Sequence, residues 1–238
     1  MGCFELNGEG SSRYARRAMV STNSNPPTAA SAENLNGQRT RVTCDKILAA
    51  AKLEFVARGL EGTTMESIAR IAKVNKALVY RHFTSKSLLF QEVLAHSYRE
   101  MRTCEAELDY SPDPVIALDQ LCAFTLDYYV SNPEFLLLVG IENLHKGAHI
   151  RRIPLEDLGV SSLLRIMDTV YGRGVEQGKF RPGVDPVELW LLLSSLCWFT
   201  VATSYTVDTT FGRETLSPDQ LALRRKNIQE MVRRFLQS

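Results

Sequence analysis

The sequence predicts an all-α protein, on three observations. Apolar residues recur at helical spacing from about residue 43 almost to the C-terminus. No stretch alternates apolar and polar residues as a strand would, and no internal repeat is present. Short punctuation such as Ser131-Asn132-Pro133 and Arg181-Pro182-Gly183 separates the periodic stretches. The 238 residues are enough to bury a substantial core. The expected layout is a disordered arm over residues 1–38, a small helical head over 39–90 and a larger helical body over 91–238.

Residues 1–38 are rich in Ser, Asn, Gly, Ala and Pro and lack any hydrophobic period, which leaves them unable to fold alone. Ile47, Leu48, Ala51 and Phe55 mark one face of a first helix, and Arg58-Gly59 stops it because glycine accepts the left-handed conformation. Thr63-Thr64-Met65-Glu66 reads as a capping box opening a short second helix with Ile68, Ala69 and Ala72 facing inward. A brief turn at Lys73-Val74 leads to a third helix over about 75–83, with Val74, Val79 and Phe83 inward. Thr84 or Ser85 caps a longer fourth helix ending near residue 101. Five more helices are expected over about 114–130, 133–146, 155–177, 185–205 and 217–236.

The formal net charge of +1 conceals an asymmetry. Residues 39–102 hold twelve Lys and Arg against six Asp and Glu, whereas residues 103–238 hold thirteen against eighteen. Only the basic segment is expected to meet a polyanion. The five cysteines, Cys3, Cys44, Cys104, Cys122 and Cys197, form no CxxC pair, which favours free thiols in a reducing compartment. No apolar run follows the basic residues near the N-terminus, and the most apolar stretch, 189–202, is too short to span a bilayer. A soluble cytoplasmic protein without a membrane partner is therefore expected.

Two short helices across a tight turn, the second ending in aromatic and basic residues, fit a helix-turn-helix that lays its second helix in the major groove. With Val79 and Phe83 inward, Lys76, Ala77, Leu78 and Arg81 are left to approach base edges. Arg81 suits a bidentate bond to guanine, and Ala77 and Leu78 suit thymine methyls. Tyr80, His82, Lys86 and Thr64 are placed to touch phosphates. Arg39 and Arg41 either reach into an adjacent groove or are merely solvated. A small bundle with a wet polar face is the alternative, but it leaves the local excess of basic charge without a role.

The runs Thr63-Thr64-Met65-Glu66-Ser67-Ile68-Ala69 and Lys76-Ala77-Leu78-Val79-Tyr80-Arg81-His82-Phe83-Thr84-Ser85-Lys86-Ser87-Leu88-Leu89 closely resemble the TetR family of regulators, most strongly over residues 43–90. The resemblance implies nine or so helices, double-stranded operator DNA as partner, a small-molecule site in the body and a homodimer built mainly from the last two long helices. It assigns phosphate contacts to Thr64, Tyr80 and Lys86, and base reading to Lys76, Ala77, Leu78 and Arg81. Lys73 stands where the family usually has glycine. Either the left-handed turn is kept at a cost of about 1 kcal/mol, or the turn differs.

In the body, Leu189, Leu192, Leu193, Leu196, Phe199, Met231 and Phe235 suit the dimer interface, although the same residues could close the monomer core. An effector site needs apolar walls with a few polar groups. Tyr128, Tyr129, Phe135, Glu142, His145, His149, Trp198 and Tyr205 are candidates, each also suited to a core or surface place. Glu142-Asn143-Leu144-His145-Lys146-Gly147 resembles a segment of regulators of catabolic operons, such as pyrimidine-utilisation and nicotinate-degradation repressors, which implies an aromatic or heterocyclic acid as effector. The expected function is a repressor released from its operator when the effector shifts the fourth helix. The family also contains activators, and no residue here fixes the sign.

No GxSxG, HExxH, Walker loop or GxGxxG occurs, so neither an enzyme nor a cofactor is expected. His145 and His149 stand four residues apart and could hold zinc together with Glu142. Gly147 between them weakens the helix that would align them.

Overall fold

A computed structural model describes residues 29–237, in which all regular structure is helical. The chain divides into two units, residues 1–45 and 46–238. The described part of the first is the beginning of helix α1 (Ala29–Gly62). Residues 29–38 are thus helical where a disordered arm was expected; residues 1–28 lie outside the described residues. The alanines and glutamate of the stretch Ala29-Ala30-Ser31-Ala32-Glu33 are good helix formers, and adding them to an existing helix avoids the cost of a new nucleus.

In the second unit, α1 breaks at Gly59, where φ is 68° and ψ is 178°. Helices α2 (Met65–Ala72), α3 (Lys76–His82) and α4 (Lys86–Ala106) follow. Ile47, Ala51 and Phe55 of α1, Ile68 and Ala69 of α2, Val79 of α3, Phe83 just after it, and Leu89, Phe90 and Val93 of α4 are all buried. Phe55 meets Phe90 edge to face at 5.0 Å, so α1 packs through its core face on the start of α4.

The body comprises α5 (Pro114–Ser131), α6 (Pro133–Leu144), α7 (Val160–Glu176), α8 (Pro186–Ala202), α9 (Ser204–Phe211) and α10 (Pro218–Leu236). Prolines open α5, α6, α8 and α10, in the turn where a missing N–H breaks no intrahelical bond. Asp113 and Asp185 cap α5 and α8 by accepting backbone N–H groups of the first turn. Helix α5 packs against α7, α8 and α10, and their inner faces supply the main apolar core.

Three boundaries differ from expectation. Helix α4 continues to Ala106, past residue 101. A 3-10 turn, Leu155–Leu158, replaces the first part of the helix expected from residue 155, another, Ile150–Arg152, precedes it, and α7 starts at Val160. The helix expected over 185–205 stops at Ala202, and α9 leaves it at 65°. Thr203 donates its hydroxyl to the Phe199 carbonyl, a back-bond that favours such bends. Among the described residues no single helix is long and apolar enough to cross a membrane. Cys122 and Cys197 are buried free thiols. Cys104 is disulfide-bonded and departs from the expectation.

Candidate nucleic-acid interface and effector site

The head is organised by its caps. Thr64, in extended conformation, accepts the Ser67 N–H at 3.1 Å, and the Ser67 hydroxyl reaches back to the Thr64 backbone. The capping box is therefore Thr64 with Ser67, one position later than the Thr63–Glu66 pair expected. Thr63 is buried instead and donates its hydroxyl to the carbonyls of Glu54 and Gly59. Lys73 keeps the left-handed turn (φ 55°, ψ 43°). Its N–H bonds to Arg70 O, and Val74 N–H reaches Ala69 O at 3.0 Å, which satisfies the carbonyls that end α2. Asn75 then caps α3 by accepting the Ala77 N–H at 2.8 Å.

These caps turn one face of α3 outward. Lys76, Ala77, Tyr80 and Arg81 are exposed, while Val79 is buried beneath them and Leu78 and His82 are half-buried. Lys76 pairs with Glu66 of α2, which holds its ammonium pKa above the ordinary lysine value. Its Nζ also lies 5.8 Å from the centre of the Tyr80 ring. Ser85 caps α4, and Lys86 at its first position is half-buried with Nζ 3.5 Å from the Glu61 carbonyl. Arg41 is exposed on the part of α1 that belongs to the first unit. The convex basic face offered by α3, with Thr64 and Lys86 at its flanks, is one that a duplex can accept.

Two links join this head to the body. Lys52 of α1 reaches Glu100 of α4 at 3.6 Å and Glu134 of α6 at 3.2 Å, and His96 meets the same Glu100 at 3.5 Å. The contact with His96, followed by Lys52, depresses the Glu100 pKa. On the core side, His149 stacks edge to face on Phe90 at 5.0 Å, on the ring that also meets Phe55. Glu142 fixes His149 by accepting its backbone N–H at 2.7 Å and the Ile150 N–H at 2.8 Å, while its other oxygen meets His149 Nδ1 at 2.7 Å. Glu142 and His149 are thus a buried loop clamp, and His145 lies beside it, its ring 5.9 Å from that of His149. Among the described residues no three His, Cys, Asp or Glu side chains stand together as a metal site.

Four of the effector candidates converge deeper in the body. Phe135 meets the rings of Tyr128 and Tyr129, each at 6.2 Å, and Trp198 meets Tyr129 at 5.9 Å. Tyr129 bonds Ser194 at 2.9 Å. Burial pushes the Tyr129 phenol up to about 12 and raises that of Tyr128 further, so both stay protonated donors. Tyr205 does not join them: it is 88% exposed on α9. Sequence reasoning missed Tyr98, Arg102 and Glu105, which share one stripe of α4. Tyr98 packs on Phe135 at 5.1 Å. Arg102 donates to Glu105 at 2.8 Å, and the two are 6% and 0% exposed. The signal for them was the continuation of the i, i+4, i+7 spacing through polar residues.

Two family models match the chain: residues 47–93 match bacterial regulatory proteins of the tetR family, and residues 114–232 match the tetracyclin repressor-like C-terminal domain. The HTH-type transcriptional repressor NicS of Pseudomonas putida is 34% identical over 174 residues, covering 73% of this chain and 82% of that protein. The chain belongs to the TetR family. The HTH-type transcriptional repressor SCO4008 of Streptomyces coelicolor is 29% identical over 158 residues, covering 66% of this chain and 77% of its own. Among solved structures, a tetR-family regulatory protein from Rhodococcus RHA1 shares the fold with a TM-score of 0.61 at 19% identity, over 82% of this chain and 97% of that one. This TetR-family chain is a DNA-binding transcriptional regulator, and its curated relatives are regulators rather than enzymes.

In the last long helices of the TetR-family body, the residues named for the interface divide between the core and the surface of the chain. Leu189 and Leu193 are 1% and 0% exposed and belong to the core, Leu196 is half-buried at its edge, and Leu192 is half-buried. The outward apolar face of α8 is Val187, Leu191 and Phe199, the last 56% exposed. On α10, Met231, Phe235 and Leu223 are exposed. The physical reason is periodicity: α8 is apolar nearly all round, so sequence spacing does not say which stripe faces its own core.

Proposed function

We propose that this regulator is a repressor that binds a palindromic operator as a homodimer and is released by an aromatic or heterocyclic effector seated in the body. The observation that carries the reading is the outward face of α3, where Lys76, Ala77, Tyr80 and Arg81 stand clear of a buried Val79. Arg81 reads bases, and Thr64, Tyr80, His82 and Lys86 set the register on phosphates. In this reading the exposed stripes Val187, Leu191, Phe199 and Met231, Phe235 meet their symmetry copies, and the operator carries two half-sites about 34 Å apart, one for each α3. An effector between the α4 stripe and the Tyr128, Tyr129 and Phe135 rings favours a different position of α4, and operator affinity falls by the differential affinity of the two states.

Selection of binding sites from a random duplex library at fixed salt tests this reading. A palindromic consensus is expected, and absence of enrichment by a folded dimer would refute the assignment of α3. On the selected site, Lys86→Ala weakens binding to all sequences and lowers the salt slope by about one. Arg81→Ala costs about 1–3 kcal/mol at one base position and relaxes preference there.

A further inference from the structure

Arg102 and Glu105 form a buried ion pair in the last turns of α4 that leaves two atoms without a protein partner. Arg102 spends one terminal nitrogen on Glu105 at 2.8 Å and the other on the weak acceptor Met101 Sδ at 3.0 Å. Its Nε is an unused donor, and Glu105 Oε1 is an unused acceptor. Burying such groups unpaired is costly, so folded proteins generally supply a partner from water or a ligand. The pair borders the aromatic cluster: one turn before Arg102 on the same stripe of α4, Tyr98 packs on Phe135 at 5.1 Å, and the Tyr110 hydroxyl donates to the Glu105 carbonyl at 3.3 Å. The Arg102 stem lies against the left-handed turn at Gly159, where an added Cβ would stand 2.6 Å from Arg102 Cγ, so the chain can pass this closely only as glycine.

We infer that the Arg102–Glu105 pair is the polar anchor of the effector site, and that it selects a neutral edge presenting an acceptor beside a donor, as an amide or lactam does. The inference rests on the reading that an effector binds in the body. The acceptor of such an edge takes the Arg102 Nε–H, and its N–H goes to Glu105 Oε1, while the ring lies along Tyr98, Tyr128 and Phe135. The acid expected from sequence fits less well. Glu105 already balances the guanidinium, and a carboxylate ligand would bury a second negative charge beside it. Arg102 lies sixteen residues, about 24 Å, along α4 from Lys86, so a ligand that pulls on this pair acts on the far end of the helix that carries the head.

The test is titration of the full-length protein with 2-pyridone, benzamide and benzoate, by ligand-observed NMR and calorimetry. The two amides are expected to bind at least about tenfold more tightly than benzoate. Replacing the pair with apolar residues of similar size, Arg102→Met with Glu105→Leu, is expected to preserve the fold and abolish amide preference. Glu105→Gln leaves the guanidinium uncompensated and is expected to invert the order in favour of benzoate. Equal amide binding by wild type and the double variant, or benzoate binding as tight as the amides in wild type, would overturn the anchor. Operator affinity measured alongside separates the two readings. Amide binding that leaves operator affinity unchanged supports the anchor and overturns release by ligand; no amide binding with operator affinity intact overturns the anchor alone.

Discussion

Lys73 holds a backbone conformation in which its Cβ crowds the following carbonyl, at a cost of about 1 kcal/mol. Its exposed side chain belongs to the turn between α2 and α3, the two helices proposed to face DNA. Lys73→Gly is therefore expected to stabilise the protein by about 1 kcal/mol in urea unfolding, and to weaken operator binding with a salt slope smaller by about one. Unchanged stability would mean that the Val74 and Lys73 hydrogen bonds already absorb the strain. The left-handed turn was one of two options readable in the sequence, because the residue type opposed it while the flanking helices demanded it. The cap was readable to within one residue. Thr63 and Thr64 are adjacent and chemically alike, and only the buried carbonyls of Glu54 and Gly59 decide that Thr63 turns inward and Thr64 caps.

Helix starts were legible wherever Asp, Ser or Pro stood at them, since a cap is a local interaction. Helix ends were less so. Helix α4 was expected to end near residue 101, yet it continues to Ala106, and Arg102 and Glu105 pair inside the body along that extension. A pattern based on apolarity stops where a buried ion pair begins. Asp113 shows the opposite case. It caps α5 and pairs with Lys179 at 2.7 Å, and that pairing, followed by the Val115 N–H, holds its carboxyl below the usual range. A depressed acid contributes stability above its unfolded pKa and loses it as pH falls through the folded one. Asp113→Ala is thus expected to be less stable than wild type at neutral pH in urea unfolding, with the difference shrinking under acid conditions. A difference that persists unchanged in acid would assign the loss to something other than the charged cap.

At the scale of the molecule, the all-helical fold and the helix-turn-helix followed from periodicity and spacing, whereas the outer stripe of α8 did not, because it depends on where α5 and α10 lie. The exposed stripe now makes a distinct forecast. Leu191→Glu with Phe199→Glu is expected to leave helicity intact by circular dichroism, to sediment as a monomer and to lose operator affinity by about a hundredfold or more, since two linked half-sites become independent. A dimer that survives would move the interface elsewhere.

The Lys52 clasp bears on how such affinities are counted. Its three charges are partly exposed, with side-chain accessibilities of 22%, 47% and 33% for Lys52, Glu100 and Glu134, so dissolved ions weaken their attraction. Raising the salt therefore displaces counterions at the duplex and, at the same time, loosens the grip of α1 on α4 and α6. The slope of affinity against salt is then the sum of an intermolecular ion exchange and an intramolecular one. A tally of phosphate contacts taken from that slope will exceed the number of cations that touch DNA.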